Sequence, residues 1–298
     1  MFLSQLMINV GDNPDRPDWR VARTWLRNLY RVHQRLCMAF PSVAPAPEER
    51  PKAYCRPYNP QDFPKQRDLP AESDEPCDTH APRNRREGFL FRIDYPPDQE
   101  RGGRKPVILV QSAGEGEPDW DYAFGLTPGA RDRCGRPIGN AGYLLAAPPR
   151  KRKFALVLDG DALVLPGEKC SLPLRPGELV RFRLRANPTR KVQDGSPNGK
   201  RKRINPTLED HQEWLESKLG AAAASPVRID TFITGWAYGW RSKHEPQPGQ
   251  RMQWWSVLFE GSFRVTNVGV LKDLLESGIG SAKAFGCGLL SVAPVRTP

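Results

Sequence analysis

The apolar positions of this chain follow two rhythms, one strand-like and one helical, separated by long stretches with neither. Residues 2–10 read as an opening strand. Trp25, Leu29, Val32, Leu36 and Phe40 then recur at helical spacing, which predicts one amphipathic helix over 21–40, ended by Pro41. Residues 42–86 hold nine prolines and little periodicity, so a long irregular insertion is expected there. Short strands are predicted over 89–93, 106–112 and 154–158. Within 179–185, Val180, Phe182 and Leu184 alternate with Arg181, Arg183 and Arg185. Period two means a strand that buries one face and carries three guanidinium groups in a row on the other.

Further along, Asn205 and Pro206 offer an N-cap and a first-turn proline for a helix bearing Leu208, Leu215 and Leu219. Strands are predicted over 229–238, 253–260 and 262–268. A short helix with Leu271, Leu274 and Leu275 leads into a glycine-rich loop, and 288–292 closes the sheet. The second half thus orders as β-α-β-β-α-β, the ferredoxin-like arrangement, and the first half begins β-α-β-β in the same way. The expected architecture is α+β: two tandem ferredoxin-like (RRM-like) domains over 1–174 and 175–298, with the Pro-rich insertion 42–86 in the first. A length of 298 residues suits two domains.

Composition narrows the function. No apolar run approaches the roughly 18 to 20 residues of a membrane helix. The start MFLSQLMINVGDNPD lacks a basic segment and makes a poor signal peptide. A cytoplasmic location is expected. Six cysteines form no paired CxxC units. Cys77 and His80, with Cys55 upstream, come nearest to a metal pattern but lack a fourth ligand, so free thiols and no metal are expected. The formal net charge is +11, and the pI is near 9.5. The excess is concentrated: residues 181–203 hold nine Lys/Arg against one Asp. Smaller clusters stand at Arg83, Arg85 and Arg86 and along 150–153. A turn around Gly195 and Gly199 sets Arg190 and Lys191 against Lys200, Arg201, Lys202 and Arg203 in a basic hairpin. Arg forks suit phosphate, so nucleic acid is the expected partner. A membrane surface fits less well, because no basic amphipathic helix accompanies the charge.

Two motifs bear on chemistry. Tyr30 and His33, three apart on the first helix, share a side that Arg27, Arg31 and Gln34 make polar. Imidazole exchanges a proton near neutral pH, yet a single helical His is also a common structural residue. The second motif is the loop with Gly278, Gly280, Ser281, Lys283, Gly286 and Gly288. Its glycines permit close approach of backbone N–H groups to an anion. They serve equally to pack a helix against a strand. Lys283 stands where a dinucleotide fingerprint needs its third glycine, and Ala282 where a Walker loop needs Gly.

The ending GIGSAKAFGCGLLSVAP strongly resembles the glycine-rich signature of the repeat-processing CRISPR endoribonucleases, and the whole layout resembles their CasE branch, found in type I-E systems. The segments FLSQLMINV, RNLYRVHQRLCMAFP, VILVQSAGEGEPDW, RFRLRANPTRK and LFEGSFRV fit that branch as well. The resemblance implies two ferredoxin-like domains and metal-independent cleavage of CRISPR precursor RNA at a repeat stem-loop. The RNA's 2′-hydroxyl attacks, leaving a 5′-hydroxyl and a 2′,3′-cyclic phosphate. It implies His33 as catalytic acid or base, Tyr30 as its helper, and other subunits of a type I-E effector complex as partners. Some relatives carry a Lys five residues after the His, where this chain has Met38. The charge-stabilising cation must then be another, such as Lys283 or Arg35. The Arg face, the basic hairpin, the glycine loop, Arg27 and Arg31 are the candidate RNA contacts. A second imidazole, His211 or His244 rather than His80, remains an open alternative. Trp236, Trp240, Trp254 and Trp255 are either base-stacking or core residues. The competing functions are a non-catalytic hairpin-binding subunit and a protein–protein adaptor.

Overall fold

A computed structural model describes residues 1–11, 19–37, 39–40, 88–96, 105–112, 117–126, 142–165, 172–192, 200–203, 207–241 and 251–295. The elements are β1 (Phe2–Met7), α1 (Trp19–Arg27), α2 (Leu29–Cys37), β2 (Phe89–Asp94), β3 (Val107–Ser112), α3 (Trp120–Phe124), β4 (Arg150–Lys153), β5 (Val157–Asp159), β6 (Ala162–Leu165), β7 (Leu172–Leu174), β8 (Leu179–Ala186), β9 (Thr189–Val192), β10 (Lys200–Arg203), α4 (Leu208–Leu219), β11 (Arg228–Trp240), β12 (Arg251–Arg264), α5 (Val268–Ser277) and β13 (Leu290–Pro294). The protein is mixed α and β. The chain divides into two compact units, one of residues 1–89, 93–152 and 238–252, the other of 90–92, 153–237 and 253–298. The expected insertion, with Cys55, Cys77 and His80, lies outside the described residues.

The first four-stranded sheet has the order β2-β3-β1-β4. β1 and β3 run antiparallel, with Leu6 opposite Ile108 and Phe2 opposite Ser112. Leu6, Ile8, Val32, Leu36, Ile108, Phe124 and Leu145 of this unit are all but sealed from solvent. Each such side chain contributes about 1.5 to 3 kcal/mol of burial. The Trp120 indole N–H donates to Ser4 Oγ at 2.9 Å, satisfying two polar groups inside the sheet's packing.

The second four-stranded sheet has the order β11-β12-β8-β13, with β8 antiparallel to both β12 and β13. Val180, Phe182, Leu184 and Ala186 are buried, as the period-two pattern predicts. Leu215 and Leu219 of α4, Phe259 and Phe263 of β12, and Leu271 and Leu275 of α5 are buried in the same unit, and the Phe182 and Phe263 rings lie 5.6 Å apart. A three-stranded sheet, β5-β6-β7, and the β9–β10 hairpin complete this unit. No helix among the described residues is long and apolar enough to cross a membrane.

Several local expectations are corrected. The helix predicted over 21–40 is two helices broken at Asn28. The strand predicted over 154–158 is displaced: the cationic run forms β4, and β5 begins at Val157. Backbone pairing needs no apolar side chain at a sheet edge, so periodicity misplaced it. The two strands predicted over 253–268 are the single β12, because Gly261 sits where a Cβ would meet the Arg228 backbone and continues the strand rather than ending it. The α4 cap is Thr207, whose Oγ1 accepts from the Asp210 N–H at 3.2 Å, not Asn205.

Candidate active site

Asn28 organises the N-terminal helices. Its N–H donates to Trp25 O, and its carbonyl accepts from Val32 N–H to start α2. Asparagine suits that position because its side chain can replace a missing backbone partner. Here the side chain does more. Asn28 Nδ2 donates to Trp240 O at 2.9 Å, and Oδ1 accepts from Trp240 N–H at 3.0 Å. The side chain is almost fully enclosed.

One turn along α2, Tyr30 and His33 fall on the same inward side, as their spacing requires. They are 8% and 5% exposed. That polar side is largely enclosed: Gln34 is buried too, Arg31 is half-buried, and Arg27 is exposed. The His33 ring packs 5.6 Å from that of Phe89, and Cys37 Sγ lies 3.6 Å from Nε2 and 3.9 Å from Nδ1. Arg31 Nη1 donates to Gln34 Oε1 at 3.4 Å. The Arg241 guanidinium stands over the Tyr30 ring, 5.8 Å from its centroid, within cation–π range. Arg241 follows the very residue that Asn28 clasps. Nothing in the local sequence marks it, since its partner stands more than two hundred positions earlier. Arg35 Nη1 donates to Ala123 O at 2.9 Å. Met38 lies outside the described residues.

In the second unit, β8 does not present three equivalent guanidinium groups. Arg181 is exposed. Arg183 Nε pairs with Glu260 Oε1 at 2.6 Å, directly across the β8–β12 ladder. Arg185 Nη1 donates to Ser256 Oγ at 3.1 Å. Two of the three are thus held within their own sheet. β9 and β10 form the expected antiparallel hairpin, with Lys191 opposite Arg201 and Arg190 opposite Lys202. Arg190 is exposed; the side chains of Lys191, Lys200, Arg201, Lys202 and Arg203 lie outside the described set.

The glycine loop is occupied by packing at several points. Gly278, Gly280, Gly286 and Gly288 all have positive φ, and so does Ala282 at 58°, a conformation that costs an L-residue about 1 to 2 kcal/mol. A Cβ on Gly278 would lie 2.7 Å from Leu90 Cδ1. Gly288 N–H donates to Arg185 O, and Ile279 N–H to Gly288 O. Lys283 Nζ donates to Ser277 O at 2.6 Å, which engages that ammonium with its own loop. Ser281 Oγ accepts from Asn187 Nδ2 and lies 3.3 Å from Thr189 Oγ1. Burial pushes the Cys287 thiol up to about 12, against the opposing charge of Arg185. Arg92, also unforeseen, is buried and donates to the carbonyls of Arg183 and Leu289.

His211 is fully buried, with Nδ1 2.7 Å from Thr207 O and its ring against Phe232 and Phe259. It is a structural residue of that core. His244 lies outside the described residues. Trp254 is buried against Phe285, 4.2 Å between ring centres, whereas Trp236 and Trp240 are exposed.

A family model described as CRISPR associated protein matches residues 74–294. The chain belongs to the CRISPR associated protein family. A CRISPR-associated endoribonuclease Cse3 from Thermus thermophilus is 30% identical over 219 residues, 70% of this chain and 81% of that relative. A CRISPR system Cascade subunit CasE from Escherichia coli is 33% identical over 142 residues, 45% of this chain and 67% of that relative. Among solved structures, a CRISPR endoribonuclease Cse3 bound to 19 nt RNA aligns with a TM-score of 0.55 at 26% identity, covering 99% of this chain and all of that one. The resemblance to the CasE branch, read from motifs at both ends of the sequence, is borne out by these matches.

Proposed function

We propose that this protein is an endoribonuclease that cuts CRISPR precursor RNA at a stem-loop within the repeat and stays with the product in a type I-E effector complex in the cytoplasm. The observation that carries the reading is that Tyr30 and His33 are buried together on α2, with the Arg241 guanidinium over the Tyr30 ring, in a chain akin to a named CRISPR endoribonuclease over most of that relative's length. Cleavage needs a proton removed from the 2′-hydroxyl, a proton delivered to the leaving 5′-oxygen, and positive charge beside the phosphorane. His33 moves the proton. Tyr30 donates a hydrogen bond to the phosphate or the imidazole. Arg241, whose guanidinium stands over the Tyr30 ring, supplies the charge that Met38 cannot.

The nucleophile belongs to the RNA, so the reaction as proposed requires no metal and leaves a 2′,3′-cyclic phosphate and a 5′-hydroxyl. His33 is enclosed in the free protein. Engagement therefore requires RNA to part the groups over it, in line with catalytic contacts that tighten only in the complex. Arg181, Arg190, the hairpin cations, Arg27, Arg31 and the glycine loop would hold the stem through its phosphates, since an A-form major groove hides its base edges.

We read the two units as ferredoxin-like domains, divided near residue 174 and with the Pro-rich insertion in the first. Numbering each sheet's strands in chain order, both sheets follow 2-3-1-4, which supports that reading. The decisive experiment is incubation with the host repeat RNA in EDTA, followed by end-group analysis. Scission with cyclic phosphate ends is expected. Tight binding without scission would instead make the protein a hairpin-holding subunit.

A further inference from the structure

One basic cluster plays no part in the site above. β4 is Arg150-Lys151-Arg152-Lys153, and all four side chains are exposed. Among the described residues it is the outermost strand of the order β2-β3-β1-β4, so one backbone edge has no described strand of that sheet beside it. The strand buries no side chain of its own. Alternation puts Arg150 and Arg152 on one face and Lys151 and Lys153 on the other, each pair about 6.6 Å apart. Lys151 meets Glu117 at 2.5 Å.

Like charges at that separation repel by roughly 0.6 kcal/mol per pair even in water, a cost that packing does not offset here. Guarding an exposed edge against aggregation takes only a charge or a proline. Four consecutive cations, two of them arginines whose planar forks match phosphate, exceed that need. A straight row of charges fits the consecutive phosphates of an extended strand better than the curved backbone of a duplex.

We infer that β4 is a second RNA site, which binds the phosphates of the single-stranded sequence flanking the repeat stem-loop. The inference rests on the proposed function and deepens it. It is tested with the full-length protein and two RNAs, the bare repeat hairpin and the same hairpin extended by single-stranded RNA at its 5′ or its 3′ end. At least one extension should tighten binding roughly tenfold. The double variant Arg150→Ser/Arg152→Ser should lose that gain while binding and cutting the bare hairpin as the wild type does. Its plot of log affinity against log salt should flatten by about 1.4 for the extended RNA, the value for two single-strand phosphates. Equal affinity of wild type and variant for every RNA overturns the inference and leaves β4 an edge guard or a docking strand for an acidic protein. Failure of the wild type to cut even the bare hairpin would instead fault the proposed function, so the two failures are distinguishable.

Discussion

Asn28 and Trp240 are joined by two hydrogen bonds between one side chain and one backbone residue, 2.9 and 3.0 Å long. The pair fixes the start of the helix carrying Tyr30 and His33 against the residue that precedes Arg241. Asn28 is thus a positioning residue. Asn28→Ala removes the cap and both hydrogen bonds to the Trp240 backbone, so a loss of about 2 kcal/mol is expected in thermal unfolding. The kinetic signature separates placement from stability: single-turnover cleavage should fall at a temperature where the variant is fully folded, with RNA affinity nearly unchanged.

His33→Ala should abolish repeat cleavage, a drop of roughly 10²- to 10⁴-fold for loss of a general acid or base. Affinity for the same RNA should stay close to wild type. Cleavage that persists in this variant would remove the proposed mechanism.

Arg241→Ala should slow the chemical step by about a hundredfold, the order expected when one charge-stabilising donor is lost. Arg241→Lys should recover part of the rate, since it restores charge without the planar fork. Equal rates for all three proteins in single turnover would return the cationic role to Lys283 or Arg35.

Gly278→Ala places a methyl group against Leu90 and the Gly288 carbonyl at a φ of 72°. A loss of about 2 kcal/mol or more is expected in denaturant unfolding. Gly235→Ala is the control: no atom lies within 4 Å of its Cβ, and the change should stay within about 0.5 kcal/mol.

The Cys287 thiol, held up to about 12 in the folded state by burial, should give stability a distinct alkaline dependence. Below the usual thiol pKa neither state loses the proton, and this group's contribution is fully present. As pH rises from about 9 toward 12 the unfolded chain ionises first, so stability declines by up to about 4 kcal/mol. Cys287→Ala should flatten that decline relative to wild type. Identical pH profiles for the two proteins would show that the thiol contributes nothing to it.

The helical segments α4 and α5, the buried face of β8, the basic hairpin and the glycine loop were legible in the chain itself. Each follows from a local rule: alternation along a strand, helical spacing, or turn residues between two charged arms. The Tyr30–His33 pair was legible as a spacing, though its burial was not, because exposure depends on what packs above it. The edge strand β4 was misplaced, since a pairing made only of backbone leaves no apolar rhythm. Gly261 reads as a break in the sequence, because nothing nearby shows that the Arg228 backbone passes close by.

The amino-acid order by itself determined the alternation of β8, the helical segments α4 and α5, and which family the chain resembles, because periodicity and motif spacing act over a few residues. Tertiary structure alone decided that Asn28 splits the first helix and clasps Trp240, that Arg241 covers Tyr30, and that Glu260 engages Arg183. A hydrogen bond or ion pair between distant positions leaves no mark on the sequence around either partner; it exists only once the sheets have brought both ends together.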